Sequence, residues 1–368
     1  MMLVTAVSVR DFRAYERATV SLGPGLNVIH GPNGAGKTNL LESLYFGCTG
    51  RSCRTSNERE VVRFGAPAAR VVVSAWAAGE EHELSVGFAP GEPKRLRADG
   101  APVERLTDVQ DRPLVSVFMP DRLELIKGPP ALRRGHIDQV VAALWPARAS
   151  TRRSYVQTLA QRNALLARVR GGRAAAGALD TWDQELARHA VVLRDHRAEV
   201  VGLLGAPFAA HAARLGLAGA AVLDYRPRTR APDGEQFVAE LLARRASDLE
   251  RGFSGHGPHR DDLALTRAGR ELRAFGSQGE QRLALLSLLL AEREVLLALR
   301  DRAPLMLLDD VMSELDAQRR TLLVAELMDA GQSIITTTEL AHVPGALGLG
   351  VTRLRVSDGV VELQALAA

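Results

Sequence analysis

The chain has 368 residues, of which 46% are apolar and 24% are charged. These proportions exclude a wholly disordered or collagen-like chain, and the length predicts two domains or lobes. The 47 basic and 43 acidic residues leave a net charge of +4. Lysine stands only at positions 37, 94 and 127, so 44 of the basic residues (47 minus 3) are arginine. Such a small excess permits a nucleic-acid partner without requiring one, and a codon bias would also enrich arginine.

Cysteine content and hydropathy predict a cytoplasmic protein. Cys48 and Cys53 have no neighbours at zinc-ligand spacing and are too few for a disulfide framework. The apolar stretch at 283–290 runs into charged residues at 292–294, so it cannot span a bilayer. The apolar residues 1–9 are too short for the core of a signal peptide.

The predicted elements divide the chain into strand-rich ends and a helical middle. Strands are predicted at 3–9, 26–30, 69–75, 84–88 and 114–118. Helical spacing then dominates residues 130–217, and the glycine-rich segment 171–177 predicts the turn of an antiparallel helical hairpin. The next elements are a strand at 221–225, a helix at 235–251, strands from 261, a long helix at 278–299 and a buried strand at 305–308. We therefore expect one α/β lobe made of residues 1–120 and 255–368, with a mainly helical lobe, residues 121–254, inserted into it.

A phosphate-binding loop, or Walker A motif, follows the strand at 26–30. The spacing G-x-x-x-x-G-K-[ST] is met by Gly31, Pro32, Asn33, Gly34, Ala35, Gly36, Lys37 and Thr38. An amphipathic helix at 39–46 follows, so the backbone N–H groups of the loop would face a polyphosphate at a helix N-terminus. Lys37 would reach the β- and γ-phosphates of ATP, and the Thr38 hydroxyl would bind Mg²⁺.

A Walker B motif is predicted where the strand at 305–308 ends in Asp309 and Asp310. Asp309 would hold Mg²⁺ through its water shell, and Asp310 would orient or deprotonate the attacking water. An apolar strand that runs into two acids is common in proteins. It is the pairing with the phosphate loop that favours catalysis.

The segment at the start of the long helix indicates which class of ATPase the chain resembles. The segment consists of Ser277, Gln278, Gly279, Glu280 and Gln281, and it resembles the signature motif of ATP-binding-cassette proteins. That resemblance implies a second anion site, which meets the γ-phosphate across a dimer; the same residues also fit a helix capping box. Ser313 and Asp316 resemble the D-loop that crosses such a dimer interface.

Further segments resemble the RecF family of bacterial recombinational repair. The Walker motifs lie 272 positions apart (309 minus 37), too far for a transporter cassette, and the insertion is too short for the coiled-coil arms of SMC proteins. The matching segments lie at 11–15, 52–55, 127–134 with Asp138, 257–262 and 308–316. The resemblance implies an ABC-type ATPase head with an inserted helical lobe and a DNA-dependent ATPase that dimerises on ATP. It also implies that the dimer binds double-stranded or gapped DNA and acts with RecO and RecR to help load RecA.

Several positions remain candidates only. Transporter cassettes have Glu where Asp310 stands, and this shorter acid predicts slow, switch-like turnover. The place of the switch histidine is occupied by Thr336, Thr337 and Thr338. Residues 119–121 are the candidates for the place of the Q-loop glutamine. Arg13 is a candidate phosphate contact. Candidate DNA contacts are Arg51, Arg54, Arg133, Arg134, Arg226, Arg228 and Arg230.

One cluster has two interpretations. His256, His259, Asp261 and Asp262 could ligate a metal, but their position on a Gly-Pro turn favours structural hydrogen bonds.

Two alternative functions remain open from the sequence. The chain could be a cassette ATPase that serves a non-DNA complex, such as one in a membrane. It could also be a repair adaptor that binds ATP but barely hydrolyses it. Stimulation of the ATPase by DNA would distinguish a DNA-dependent ATPase from one that serves a non-DNA complex. A very low turnover number would indicate the adaptor.

Overall fold

The computed structural model describes residues 2–109 and 112–364, without the side chains of Pro120 and Asp121. It divides into two compact units. Unit 1 contains Met1–Leu123, His211–Leu217 and Gln278–Ala368, and unit 2 contains Glu124–Ala210 and Ala218–Ser277. No helix in the described ranges is long and apolar enough to cross a membrane.

Unit 1 contains an antiparallel sheet, sheet A, whose strand order is β2-β1-β4-β5-β6-β7. Buried apolar and exposed polar residues alternate along its strands, as expected for a sheet with one face in the core and the other in solvent. On β1, for example, Val7 and Val9 are buried while Arg10 is exposed. The strands are β1 Leu3–Phe12, β2 Tyr15–Ser21, β4 Ala69–Ala77, β5 Glu80–Phe88, β6 Arg95–Ala98 and β7 Ala101–Pro102.

The second sheet of unit 1, sheet B, has the order β15-β14-β3-β13-β12-β8 and is parallel except for β15. Its central strands are buried along almost their whole length because both faces are covered, and β12 is wholly apolar. Since β13 lies between β3 and β12, the carboxyl ends of all three strands meet at one edge. The strands are β3 Leu26–His30, β8 Val115–Phe118, β12 Leu305–Leu308, β13 Ser333–Thr337, β14 Thr352–Ser357 and β15 Val360–Gln364.

Helix α1 (Lys37–Thr49) contacts strands of both sheets and carries part of their common core. Leu40, Leu41, Leu44 and Phe46 are fully buried there. Such burial on several sides fixes the helix, and with it the loop at its N-terminus, in a rigid setting. Two further helices of unit 1 are α8 (Gln278–Arg300) and α9 (Ala317–Asp329).

Unit 2 is mainly helical and has a core around Tyr155, Leu186 and Phe237. It also contains a small sheet, sheet C, of order β11-β10-β9. The helices are α2 Glu124–Lys127, α3 Pro130–Leu144, α4 Ala149–Arg170, α5 Leu179–Arg214 (whose last turn belongs to unit 1), α6 Gly234–Arg251 and α7 Leu272–Phe275, and the strands are β9 Ala221–Arg226, β10 Asp262–Arg267 and β11 Arg270–Glu271.

Residues 255–277 pack in unit 2, whereas the sequence analysis placed them with the ATP-binding lobe. The reason is strand pairing. β10 pairs antiparallel with β9 over six residues, from Asp262 with Arg226 to Arg267 with Ala221. These strand-pairing hydrogen bonds place the segment in the helical unit. The hydrophobic periodicity of a sequence predicts a strand but not the strand with which it pairs.

Hydrogen bonds occupy the polar residues at 256–262. His256 Nε2 lies 2.6 Å from Glu240, and His259 Nε2–H donates to the Ser254 carbonyl at 2.9 Å. His259 Nδ1 lies 2.7 Å from the Tyr155 hydroxyl, and burial lowers the pKa of this histidine to about 4. The neutral ring therefore has a partner at each nitrogen.

The two acids of this segment bind arginines. Asp261 accepts from Tyr225 at 2.5 Å and Arg197 at 3.2 Å, and Asp262 forms a two-pronged pair with Arg133 at 2.8 and 3.1 Å. These contacts agree with the interpretation that the segment has a structural role, because its polar side chains form hydrogen bonds and ion pairs with other residues of the protein.

Candidate nucleotide-binding site

The phosphate loop runs from the end of β3 to the start of α1, and two of its glycines are required by geometry. A Cβ atom on Gly31 would lie 2.1 Å from the Val356 carbonyl oxygen, and one on Gly36 would lie 2.9 Å from the Tyr15 hydroxyl. Both have positive φ, 152° and 111°. Tyr15 also donates a 2.9 Å hydrogen bond to the Gly36 carbonyl, so the buried β1–β2 hairpin supports the loop from beneath. Sequence analysis missed this residue, although it lies in the segment 11–15.

Lys37 curls over its own loop. Its Nζ donates to the carbonyl oxygens of Gly31 at 2.8 Å and Pro32 at 2.9 Å, and the side chain is buried. Burial lowers the pKa of this amine, while the negative charges of Asp310 and Asp309 oppose the shift. The ammonium is thus held at the mouth of the loop, where the first N–H groups of α1 lack helical acceptors.

Thr38 and Asp309 meet although they are 271 positions apart. The Thr38 hydroxyl lies 3.0 Å from each carboxylate oxygen of Asp309. This contact follows from sheet B, where β13 separates the two parent strands and brings their ends to one edge. Burial raises the pKa of Asp309, and hydrogen bonds from Thr336 and Thr38 counteract that rise.

Asp310 is held in an unusual conformation by two hydroxyls. Its φ is 46°, in the left-handed region that non-glycine residues seldom adopt. The Asp310 N–H donates to Thr336 Oγ1 at 2.8 Å, and the Ser313 hydroxyl contacts the Asp310 carboxylate at 3.0 Å. Thr336 also donates to Asp309 at 2.6 Å, so one buried hydroxyl connects both acids.

A buried carboxylate on α1 organises the arginines beside the loop. Glu42 is fully buried and accepts two hydrogen bonds from Arg13, at 2.9 and 2.8 Å. It also accepts from Ser52 at 2.5 Å and from Arg54 at 3.2 Å. Arg54 donates further to Asn39 at 3.0 Å, which places it at the first turn of α1. Arg13 and Arg54 are therefore anchored next to the phosphate loop.

The predicted D-loop residues and the first two signature residues lie at exposed helix starts, whereas Gly279 and Glu280 are half-buried and Gln281 is buried in α8. Ser277 and Gln278 are exposed at the beginning of α8. Ser313 lies in a 3-10 turn after Asp310, and Asp316 caps α9 by accepting the Arg319 N–H at 2.9 Å. Ser313 thus contacts Asp310 of its own chain, a role that the sequence motif does not reveal.

The candidate DNA contacts differ widely in exposure. Arg133 is 1% exposed and bound to Asp262, which leaves it no access to a nucleic acid. Arg134 donates to the Asp261 carbonyl at 2.7 Å, and Arg226 pairs with Asp224 and Glu271. The exposed candidates are Arg51, Arg54, Arg226, Arg228 and Arg230, of which Arg54 and Arg226 are paired with acids.

The remaining candidates near the site can also be placed. Thr337 is buried on β13 and donates to the Glu339 carbonyl at 3.0 Å, while Thr338 follows the strand. For the proposed Q-loop position, Met119 is buried, and the side chains of Pro120 and Asp121 lie outside the described residues.

The donor set at Thr38 and Asp309 fits Mg²⁺. This ion prefers oxygen ligands and is bound in nucleotide sites by one or two protein groups together with phosphate oxygens and water. A dedicated protein cage is not required. Among the described residues, no group of three or more His, Cys, Asp or Glu side chains is placed to hold a metal.

Comparison with known proteins agrees with this geometry. The family described as RecF/RecN/SMC N terminal domain matches residues 3–352. The "DNA replication and repair protein RecF" of Heliobacterium modesticaldum is 37% identical, covering 97% of this chain and 98% of that protein. The protein of the same name from Acidothermus cellulolyticus is 38% identical, over 91% and 94%.

Solved structures agree in fold. A structure of the recombination mediator protein RecF with ATP in the RecFOR pathway has a TM-score of 0.88 at 26% identity, covering 99% of this chain and 98% of that one. The Smc head domain of Pyrococcus furiosus shares the fold with a TM-score of 0.59 at 18% identity, over 99% and 96%. The predicted fold class, an α/β ATPase head of the ABC type, is confirmed. The chain belongs to the RecF family, within the proteins that carry the RecF/RecN/SMC N-terminal domain.

Proposed function

We propose that this chain is an ATP-driven switch of DNA replication and recombinational repair. Family membership supports the process, and the site supports the chemistry. The observation that carries the proposal is the 3.0 Å contact between Thr38 and Asp309, because it joins the Walker A and Walker B motifs into one site. A RecF of the same fold has been solved with ATP, which supports ATP as the nucleotide.

The phosphate loop, Lys37 and Thr38 bind the triphosphate. The loop N–H groups and the α1 N-terminus donate to the phosphate oxygens, and Lys37 exchanges its two carbonyl acceptors for the β- and γ-phosphates. Thr38 and Asp309 would hold Mg²⁺, which neutralises developing charge on the transferred phosphoryl group. No covalent intermediate with the protein is needed.

Asp310 acts on the water. Its carboxylate, oriented by Ser313 and by the left-handed backbone, accepts a hydrogen bond from the attacking water and aligns it with the γ-phosphorus. Aspartate reaches less far than the glutamate of transporter cassettes. We therefore expect slow turnover, which suits a switch.

Dimerisation would couple the chemistry to DNA. The segment 277–281 would meet the γ-phosphate bound by a second chain, with Ser313 and Asp316 at the same interface. ATP then joins two chains around double-stranded or gapped DNA, and hydrolysis releases them. RecO and RecR are the proposed protein partners, and RecA loading is the proposed outcome.

The test is sedimentation velocity of the full chain with ADP or ATP and Mg²⁺, together with ATPase assays on single-stranded, duplex and gapped DNA. We expect a dimer only with ATP and a higher turnover with duplex or gapped DNA. A chain that stays monomeric in saturating ATP, or whose turnover ignores DNA, would contradict the proposal.

Thr336→Val is expected to lower turnover by about 10-fold or more, since a hydrogen bond to a charged group contributes about 1.5–3 kcal/mol. Valine keeps the shape of threonine but loses both the bond to Asp309 and the acceptor for the Asp310 N–H. The Mg²⁺ concentration at half-maximal rate should rise, while the KM for ATP changes little because the phosphate loop is intact.

Thr336→Ser is the matched control, because it keeps the hydroxyl and should stay within about threefold of the wild-type rate. If the valine variant kept both the wild-type rate and the wild-type Mg²⁺ dependence, Thr336 would have no positioning role.

A further inference from the structure

Four arginines lie in one register row across the exposed face of sheet A. Arg10 on β1 is directly opposite Arg17 on β2 and Arg70 on β4. Arg70 is opposite Gly87 on β5, which is in turn opposite Arg95 on β6. All four side chains are exposed, and directly paired residues share a face. With strands about 4.8 Å apart, this arginine row spans about 19 Å.

The row is costly for the isolated protein. Like charges directly opposite each other destabilise a sheet, and here three arginines occupy adjacent strands without interruption. Arg10 has a distant contact with Asp11 at 3.9 Å, and Arg95 pairs with Glu92 at 3.2 Å. Within the described ranges, no carboxylate lies within 4.0 Å of Arg17 or Arg70. An external anion would relieve this repulsion.

The neighbouring row identifies the kind of anion. Two residues along each strand, the next row consists of Thr19, Ser8, Val72, Ser85 and Arg97. Thr19 and Arg97 are exposed, Ser8 and Val72 are half-buried, and Ser85 is buried. Arginine, serine and threonine are donors to phosphate oxygens, while a protein–protein interface would need a buried apolar centre, and these two rows contain no Leu, Ile, Phe or Trp. Acidic residues lie further along the face, at Glu81 and Glu83. The face is thus polarised, with its basic end suited to a line of phosphates.

We propose that the arginine row binds the phosphate backbone of duplex DNA. The proposal rests on the DNA-binding function above and adds a location that the motifs do not supply. Duplex DNA carries one negative charge per about 1.7 Å of axis, so the row is long enough to cover several phosphates. Binding is expected to be independent of sequence because no base edge is contacted.

The experiment uses the full chain with the triple substitution Arg10→Thr, Arg17→Thr and Arg70→Thr. Threonine suits strands, and the change removes the guanidinium group together with its charge and its donors to phosphate. Duplex affinity is measured with ATP and Mg²⁺ between 50 and 200 mM salt. Each lost phosphate contact reduces the slope of log affinity against log salt by about 0.9, so we expect a reduction of about 2.7 per bound chain. The factor by which affinity decreases between 50 and 200 mM salt should therefore be about 40 times smaller for the variant than for the wild type.

Three controls separate this site from other causes. A triple Arg→Lys variant keeps the charge and should keep the slope. A charge-matched variant without Arg168, Arg188 and Arg244, all exposed on helices of unit 2, should also keep it. The thermal unfolding midpoint of the Thr variant without DNA should be unchanged or higher, because repulsion is removed.

An unchanged slope in the Thr variant, or an equal loss in the unit 2 variant, would overturn the arginine row as the DNA site while leaving the ATP-driven switch intact. Retained DNA binding with lost binding of an acidic protein partner would overturn it in favour of that partner. A wild-type chain that binds no duplex in ATP would overturn the proposed function itself.

Discussion

Asp310→Asn is expected to lower ATP turnover by about 10²–10⁴-fold, the usual contribution of a general base, while ATP binding is kept. Asparagine has the same size, tolerates the left-handed conformation with φ of 46°, and can still accept from the Ser313 hydroxyl. The substitution removes the negative charge that we propose accepts a proton from water. The ATP-bound dimer should therefore accumulate and remain on DNA.

The measurements are single-turnover hydrolysis, ATP binding and sedimentation in saturating ATP and Mg²⁺. Asp301→Asn is a matched control, because Asp301 is also an aspartate with positive φ but is exposed in the turn between α8 and β12. It should behave as the wild type does. An Asp310→Asn chain that hydrolyses ATP normally would exclude this residue as the base, and one that binds ATP but stays monomeric would contradict ATP-driven dimerisation.

The parts of the site that are local in sequence could be predicted. The predicted phosphate loop depends on glycines and a lysine at fixed offsets, and its residues 31–36 lie between β3 and α1, with Gly31 and Gly36 at positions where a side chain would collide. The contact between Thr38 and Asp309 could also be anticipated, since acids at the end of a buried parallel strand lie at the same edge as the loop.

Supporting residues could not be predicted, because their roles depend on tertiary neighbours. Glu42 lies in no motif, Tyr15 only ends the family-like segment 11–15, and Thr336 is only a candidate for the place of the switch histidine. The partner that defines each role lies more than 20 positions away in the chain. Arginine in particular gives no sequence signal of burial. The sequence suggests Arg133 as a DNA contact, but this residue is buried against Asp262. Arg10 is not among the DNA contacts suggested by the sequence. Its place in the arginine row emerges only from the register of three strands.

A buried ion cluster in unit 2 should dominate the stability of that unit. Arg162 on α4 donates to Asp183 at 2.6 Å, Asp248 at 2.8 Å and Ser254 at 2.6 Å. The side chains of Arg162, Asp183 and Asp248 are all fully buried. Asp248 also accepts the Gly255 N–H at 2.9 Å, so the cluster fixes the start of the segment that leads to Asp261 and Asp262. Such a cluster is sensitive to the loss of one member because the others stay buried and charged.

Arg162→Met is expected to lower the free energy of unfolding of unit 2 by about 3–5 kcal/mol, because Asp183 and Asp248 would lose their common buried counter-charge and keep only the partly exposed Arg245 and Arg251. For a unit of this size the melting temperature should fall by roughly 6–20 °C. Arg188→Met on α5 removes an exposed ion pair with Glu185 and should cost about 0–1 kcal/mol.

The triple variant Arg162→Met, Asp183→Asn and Asp248→Asn separates the two explanations of such a loss. If uncompensated charge is the cause, neutralising both acids should recover much of the stability. If the geometry of the arginine hydrogen bonds is the cause, the triple variant should be no more stable than Arg162→Met. Calorimetry of the four chains decides between them, and a single variant as stable as the wild type would show that the cluster contributes little to folding.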